Sequence, residues 1–269
     1  MPIREQDSHK GTFGKVLNVA GSENYIGAAY LSTLASLKIG AGYAALSSCK
    51  KVLDSVSKLL PEAVLLSRKD ALKKVDEFTT MLIGCGLSQG RNSKTDFKKF
   101  IELAKKFDLP TVIDADGLNI LSKENIVLPT KTIITPHPKE AARLLGVDDI
   151  TSNLEFAAKE LSKKYKCVVV LKNHRTIICE GDTIFINQHG NSALAKAGTG
   201  DVLAGIISGL LAQRMTPYEA AKLGVYLHSR AGEIASKELT EYSVLASVVI
   251  KYLPQAIKEI LNNENSQSL

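Results

Sequence analysis

Between residues 16 and 171 the chain alternates short apolar runs with segments of helical period. Few folds accept that order. The runs at 16–22, 43–47, 63–66, 80–86, 111–116, 131–135 and 167–171 are too short for core helices and are bounded by Gly, Pro or polar residues, as buried strands are. Helices are expected between them at 27–39, 51–60, 69–77, 93–107, 139–145 and 154–165. Two further strands, 176–179 and 183–187, flank Glu180-Gly181-Asp182, a hairpin signal. The remainder reads as helix at 201–213, 217–239 and 244–262, with roughly the last eight residues frayed. Strand–helix alternation followed by a hairpin predicts an α/β fold: an open, mostly parallel sheet with helices on both faces and an antiparallel hairpin. No linker or repeat interrupts it, so residues 1–269 are expected to form a single domain. Ligands bind such sheets at the carboxyl ends of the strands. That rim carries Ser22, Gly84-Cys85-Gly86, Asp114, Asp116, His137 and Lys172.

Composition narrows the function classes. The net charge is +6, but the lysines are dispersed, there is no Trp, and aromatics do not interleave with basic residues. That argues against nucleic acid as a partner. Cys49, Cys85, Cys167 and Cys179 form no C-x-x-C pair or metal-ligand spacing. The N-terminus carries no hydrophobic signal region and no segment is apolar for 18 residues, so no membrane is expected and the cytoplasm is the expected location.

The stretch with most chemistry is Gly198-Thr199-Gly200-Asp201, which leads into a helix with apolar residues Val202, Leu203, Ile206, Ile207, Leu210 and Leu211. Two glycines at a helix N-terminus make an anion hole. Asp201 would repel an anion there unless it takes a proton beside it; otherwise it only caps the helix. From the loop alone both readings stand.

Other blocks decide between them. Ser8-His9-Lys10-Gly11-Thr12-Phe13-Gly14, Gly21-Ser22, Gly27-Ala28-Ala29, Gly84-x-Gly86, Asp114-Ala115-Asp116, Thr135-Pro136-His137-Pro138-x-Glu140 and Gly198-Thr199-Gly200-Asp201 occur in that order. Together they resemble the ADP- or ATP-dependent NAD(P)H-hydrate dehydratases, a branch of the ribokinase-like superfamily. Gly-Thr-Gly-Asp is shared with small-molecule kinases, whereas His137 within Thr-Pro-His-Pro marks the dehydratase branch. The resemblance implies a ribokinase-like fold and repair of the S epimer of hydrated NADH and NADPH, by phosphorylation of the C6 hydroxyl and elimination of phosphate. ADP or ATP is the implied co-substrate and Mg²⁺ the implied metal.

It also implies residue roles. Asp201 is the base and a substrate contact, with Gly198, Thr199 and Gly200 as the anion hole beneath it. Ala29, Gly86 and His137 meet the hydrated nucleotide. Lys172, Asn173, His174, Arg175, Thr176 and Gly200 hold the adenine nucleotide. Glu140 either caps its helix or helps organise Mg²⁺, and Asp116 braces a loop. Two departures stand out: Asn173 replaces the family's usual Gly after Lys, and Cys85 replaces its usual Pro. Asn tolerates positive φ better than most residues, and Cys85, with no His partner pattern, is expected to pack. His228 is expected in a helix core; His9, His189 and Lys196 have no assignable chemistry. Ala221, Gly224 and Ala231 suggest close helix contacts, including contacts between subunits, since relatives form homotetramers. Because the chain begins at the dehydratase blocks, a separate NAD(P)H-hydrate epimerase is the expected functional partner. The alternatives are a ribokinase-like kinase of a hydroxymethylpyrimidine or hydroxyethylthiazole type of vitamin precursor, which does not predict Thr-Pro-His-Pro, and a nucleotide sensor, which has no need of Asp201.

Overall fold

The computed structural model describes residues 1–267. Strands β1 (Lys15–Val19), β2 (Tyr43–Ser48), β3 (Val64–Ser67), β4 (Thr80–Ile83), β5 (Thr111–Ile113), β6 (Thr132–Ile134), β7 (Val168–Leu171), β8 (Ile177–Glu180) and β9 (Thr183–Ile186) form a nine-stranded sheet in the order β3-β2-β1-β4-β5-β6-β7-β8-β9. The pairings from β3 through β7 are parallel, and β7–β8 and β8–β9 are antiparallel. The strand order reverses between β1 and β4, which is where an open α/β sheet leaves a crevice.

Alternation along the strands fills two apolar layers. Leu46, Leu82, Val112, Ile133 and Val168 point to one face, which is covered by α1 (Ile26–Lys38), α8 (Thr199–Ala212), α9 (Pro217–Leu239) and α10 (Ala246–Gln267). Leu17, Met81, Ile83, Ile113 and Val169 point to the other, under α4 (Arg91–Lys106), α5 (Asp116–Leu121), α6 (Pro138–Leu145) and α7 (Leu154–Tyr165).

Helix α8 is the hinge of the first layer. Every residue from Val202 to Ala212 is buried, so it is a core helix rather than one with a single apolar stripe. It lies against α1 so closely that a Cβ on Gly205 would stand 2.3 Å from the Ser32 carbonyl oxygen. Gly224 likewise faces Ile207, and Ala221 and Ala231 are fully buried. These small residues join α9 to its own chain, not to a second subunit.

Several boundaries differ from the sequence expectation. The segment 69–77 is not one helix: α3 (Arg68–Leu72) stops, and a tight 3-10 turn (Val75–Glu77) follows. Helix α2 (Lys50–Val56) ends before the expected 60. The strand expected through Asp116 stops at Ile113, because Ala115 has φ +49° and Asp116 opens α5. Fraying was expected over the last eight residues; α10 runs to Gln267, and residues 268–269 lie outside those described.

Candidate active site

The parallel strands deliver a chain of charge to one end of the sheet. Asp114, just past β5, is 1% exposed. Its Oδ1 accepts from Thr135 Oγ1 at 2.7 Å and from Lys172 Nζ at 2.7 Å, the latter just past β7. Lys172 Nζ also lies 4.0 Å from Glu140 Oε2. Burial alone would push the Lys172 ammonium down, but Asp114 and Glu140 outweigh it and raise its pKa. The lysine stays charged.

Asp201 stands in the first turn of α8, facing this cluster. One ligand atom each from Cys85, Asp114 and Asp201 lie within 4.8 Å of one another. Burial first, and then the Asp114 charge, raise the Asp201 carboxyl to about 6; the Cys85 thiol and Lys172 pull the other way. At neutral pH the carboxylate is mostly ionised yet far more basic than an ordinary Asp, which suits a general base. Cys85 itself is fully buried and its thiol pushed well up by burial, so it is no nucleophile.

The turn beneath Asp201 depends on Gly198. Its φ of +90° lets it serve as the α8 N-cap, with no side-chain cap bond. Thr199 differs from expectation. Its N–H bonds the Lys196 carbonyl at 3.3 Å and its hydroxyl donates to the Leu194 and Lys196 carbonyls at 2.7 Å. The amides left open at the first turn are those of Gly200 and Asp201, and of the expected donors it is the Thr199 amide that is already engaged. A Cβ on Gly200 would sit 3.5 Å from Lys172 Nζ and 3.9 Å from Asp114 Oδ2, so the helix end and the lysine converge on one spot.

His137 is the α6 N-cap, in a full capping box with Glu140: the Glu140 N–H donates to His137 Nδ1, and Glu140 Oε2 accepts from the His137 N–H at 2.9 Å. Burial, then Lys172 and Arg143, lower the His137 pKa, so the ring is neutral. Burial raises Glu140 to about 7 despite Lys172. With both carboxylate oxygens facing His137 and a lysine nearby, Glu140 does not fit a metal ligand. Nor does the Cys85–Asp114–Asp201 trio fit Mg²⁺, which takes oxygen and keeps its waters.

A cavity of about 830 Å³ opens beside this cluster, lined by His137, Lys172, Asn173, His174, Thr176, Thr199 and Gly200 among others. Thus most of the expected nucleotide residues come together. Arg175 does not: it turns to Gln188, outside the lining. Ala29 is fully buried, and its Cβ faces the Gly21 backbone, so it has no surface to offer a ligand. Its partly exposed neighbour Ala28 packs by Gly86, where an added Cβ would come 2.9 Å from Ala28 and 2.6 Å from Tyr25. Asp116 braces the loop after β4, accepting from Ser88 N–H at 2.8 Å and Gln89 Nε2 at 3.1 Å.

Sequence reasoning missed part of the lining. His189, Gly190 to Ser192 and Glu241 reach the cavity from separate segments, and no local pattern marks them. His228 is buried as expected but also lines the cavity; burial drives its imidazole down to about 4, so it is neutral.

Residues 16–255 match the family model described as NAD(P)H-hydrate dehydratase. The chain is similar to the ADP-dependent (S)-NAD(P)H-hydrate dehydratase of Neisseria meningitidis serogroup B, at 39% identity over 86% of this chain and 80% of that one. It is 37% identical to the bifunctional NAD(P)H-hydrate repair enzyme Nnr of Moorella thermoacetica, over 97% of this chain and 52% of the other, so it spans about half the length of that relative. A solved structure of ADP/ATP-dependent NAD(P)H-hydrate dehydratase from Bacillus subtilis, co-crystallised with ATP/Mg²⁺, superposes with a TM-score of 0.85 at 32% identity, over 96% of this chain and 94% of that one. With its motifs, its fold and its match across residues 16–255 in agreement, this chain belongs to the NAD(P)H-hydrate dehydratase family.

Proposed function

We propose that this protein repairs hydrated NADH and NADPH, acting on the S epimer at the expense of ADP or ATP. The observation that carries the reading is a half-buried, unusually basic Asp201 carboxylate at the open first turn of α8, beside the Lys172–Asp114 pair. With ADP as donor, the C6 hydroxyl oxygen attacks the terminal phosphorus and the bond to the bridging oxygen breaks, releasing AMP. Asp201 takes the hydroxyl proton, and the amides of Gly200 and Asp201 with Lys172 hold the charge on the phosphoryl oxygens. The C6–O bond then breaks and phosphate leaves with its electron pair, assisted by the ring nitrogen. Loss of a proton from C5 restores the 5,6 double bond.

In this reading the cavity beside Lys172 takes the adenine nucleotide, and His137 and Gly86 face the hydrated nicotinamide. Mg²⁺ would supply charge neutralisation on the nucleotide phosphates when bound with them, and neither Glu140 nor the Cys85–Asp114–Asp201 group suits it as a ligand set. Epimerisation of the R form belongs to an NAD(P)H-hydrate epimerase. Four free cysteines fit a reducing compartment such as the cytoplasm, and no helix among the described residues is long and apolar enough to cross a membrane. Assembly as a homotetramer would cover the exposed Leu239, Tyr242 and Leu245 between α9 and α10.

The test is to mix hydrated NADH with ADP or ATP and Mg²⁺ and follow near-ultraviolet absorbance. Recovery of the reduced-nicotinamide band is expected. No recovery with either nucleotide, together with stable phosphoryl transfer to a pyrimidine or thiazole alcohol, would make the protein a vitamin-precursor kinase instead.

A further inference from the structure

The loop after β9 forms one wall of the cavity beside Lys172, and it is tied to α9 along a single stripe. Asn187 Nδ2 donates to Ser229 Oγ at 3.0 Å, the Gly190 N–H to Glu233 Oε1 at 2.6 Å, and Asn191 Nδ2 to Ser236 Oγ at 2.7 Å. Ser229, Glu233 and Ser236 stand at i, i+4 and i+7, so they share one face of the helix. Arg230 holds the other carboxylate oxygen of Glu233.

His189 sits among these ties. Its ring meets Tyr226 edge-on, with centroids 5.0 Å apart and planes at 89°, and its Nδ1 stands 3.7 Å from Glu233 Oε1. Two contacts thus orient the imidazole. In the neutral ring the proton sits on the nitrogen that faces the carboxylate, which leaves Nε2 as an acceptor. Nε2 has no hydrogen-bond partner among the described residues and, unlike His228 Nε2, is not buried away from solvent. The half-exposed side chain lines the cavity.

Neighbouring polar side chains on this wall are already engaged. Asn191 Oδ1 accepts from the Ala193 N–H at 3.2 Å, and Ser192 Oγ donates to Glu241. The lining also includes the apolar Leu194, Leu203 and Val225. An apolar slot with an open acceptor on its wall suits a nucleobase that offers an N–H donor.

We propose that His189 reads the base of the nucleotide, with Nε2 accepting a hydrogen bond from the 6-amino group of adenine. The proposal rests on the placement of the adenine nucleotide in this cavity proposed above. A purine with a 6-oxo group would turn an acceptor towards Nε2 and leave both atoms unpaired.

The experiment is calorimetric titration of the wild type, His189→Ala and His189→Phe with ADP and with inosine 5′-diphosphate, which carries a 6-oxo group in place of the 6-amino group. The wild type should bind ADP about tenfold or more tightly than the inosine nucleotide, the size of one hydrogen bond, and in His189→Ala the two Kd values should come within about twofold. His189→Phe keeps a ring against Tyr226 but has no acceptor, so it should lose the preference as well, and it serves if the alanine variant does not fold. Equal binding of the two nucleotides by the wild type, tighter binding of the inosine nucleotide, or a preference that survives in a folded variant would overturn the proposal. If the wild type binds ADP but does not dehydrate hydrated NADH, the proposed function fails and the Kd ratio still decides the base assignment; if it binds neither nucleotide, both fall.

Discussion

Replacing the proposed base with its neutral isostere, Asp201→Asn, should abolish turnover and make the protein more stable. A carboxyl whose folded pKa is raised resists ionisation in the folded state. Its contribution to stability is therefore fully present below the unfolded value, 3.8, and is lost as pH rises through the folded value of about 6. Above that pH the ionised carboxylate costs the fold about 3 kcal/mol, at ~1.4 kcal/mol per pH unit. Asn escapes this cost. It also gives up the favourable interaction of an acid in the first turn of α8, about 0.3–1 kcal/mol. The net expectation is a gain of about 2 kcal/mol near neutral pH, falling below about 1 kcal/mol near pH 4. Urea unfolding of both proteins at the two pH values measures it as a shift of midpoint at constant slope. A variant less stable than the wild type near neutral pH, or a gain that does not change with pH, would refute the electrostatic reasoning.

Three further outcomes follow from the same cluster. The kcat/KM of the wild type should fall as pH drops through about 6, because the base must be ionised, and the limb should persist in Glu140→Gln; its disappearance in that variant would transfer the base role to Glu140. Lys172→Met leaves the buried Asp114 and Glu140 carboxylates without their cation, and should cost about 3–5 kcal/mol near neutral pH, less in acid, as read by urea midpoints. Gly198→Ala places a Cβ 2.8 Å from Leu31 Cδ1 at φ +90°, and should cost about 1–3 kcal/mol while lowering kcat; unchanged melting and turnover would show that the turn tolerates a side chain.

Layer order and strand direction were legible because buried parallel strands write themselves as short apolar runs, and all nine fall within the expected segments or a residue or two of them. Helix α5 was not legible. Its start depends on Ala115 at a positive φ, which no residue type announces. The site divides the same way. Asp201, His137 and Lys172 could be named as candidates because each belongs to a contiguous block, and the fold brings them to one end of the sheet. Thr199 was misjudged because its amide is taken by a local 3-10 contact to Lys196, and Ala29 because burial is a property of what packs above it. Glu140 was left between cap and metal ligand; the capping box places it as the cap. The pairing of Asp114 with Lys172, 58 residues apart, exists only once the sheet is assembled.

If phosphorylation is the means of expelling the hydroxyl, the C6 oxygen must leave on phosphate. Hydrated NADH prepared with oxygen-18 at C6, incubated with this protein, ADP and Mg²⁺, tests it directly. The released inorganic phosphate should carry one labelled oxygen for each NADH formed. Unlabelled phosphate, with the label in water, would contradict it and would leave nucleotide hydrolysis as a parallel event.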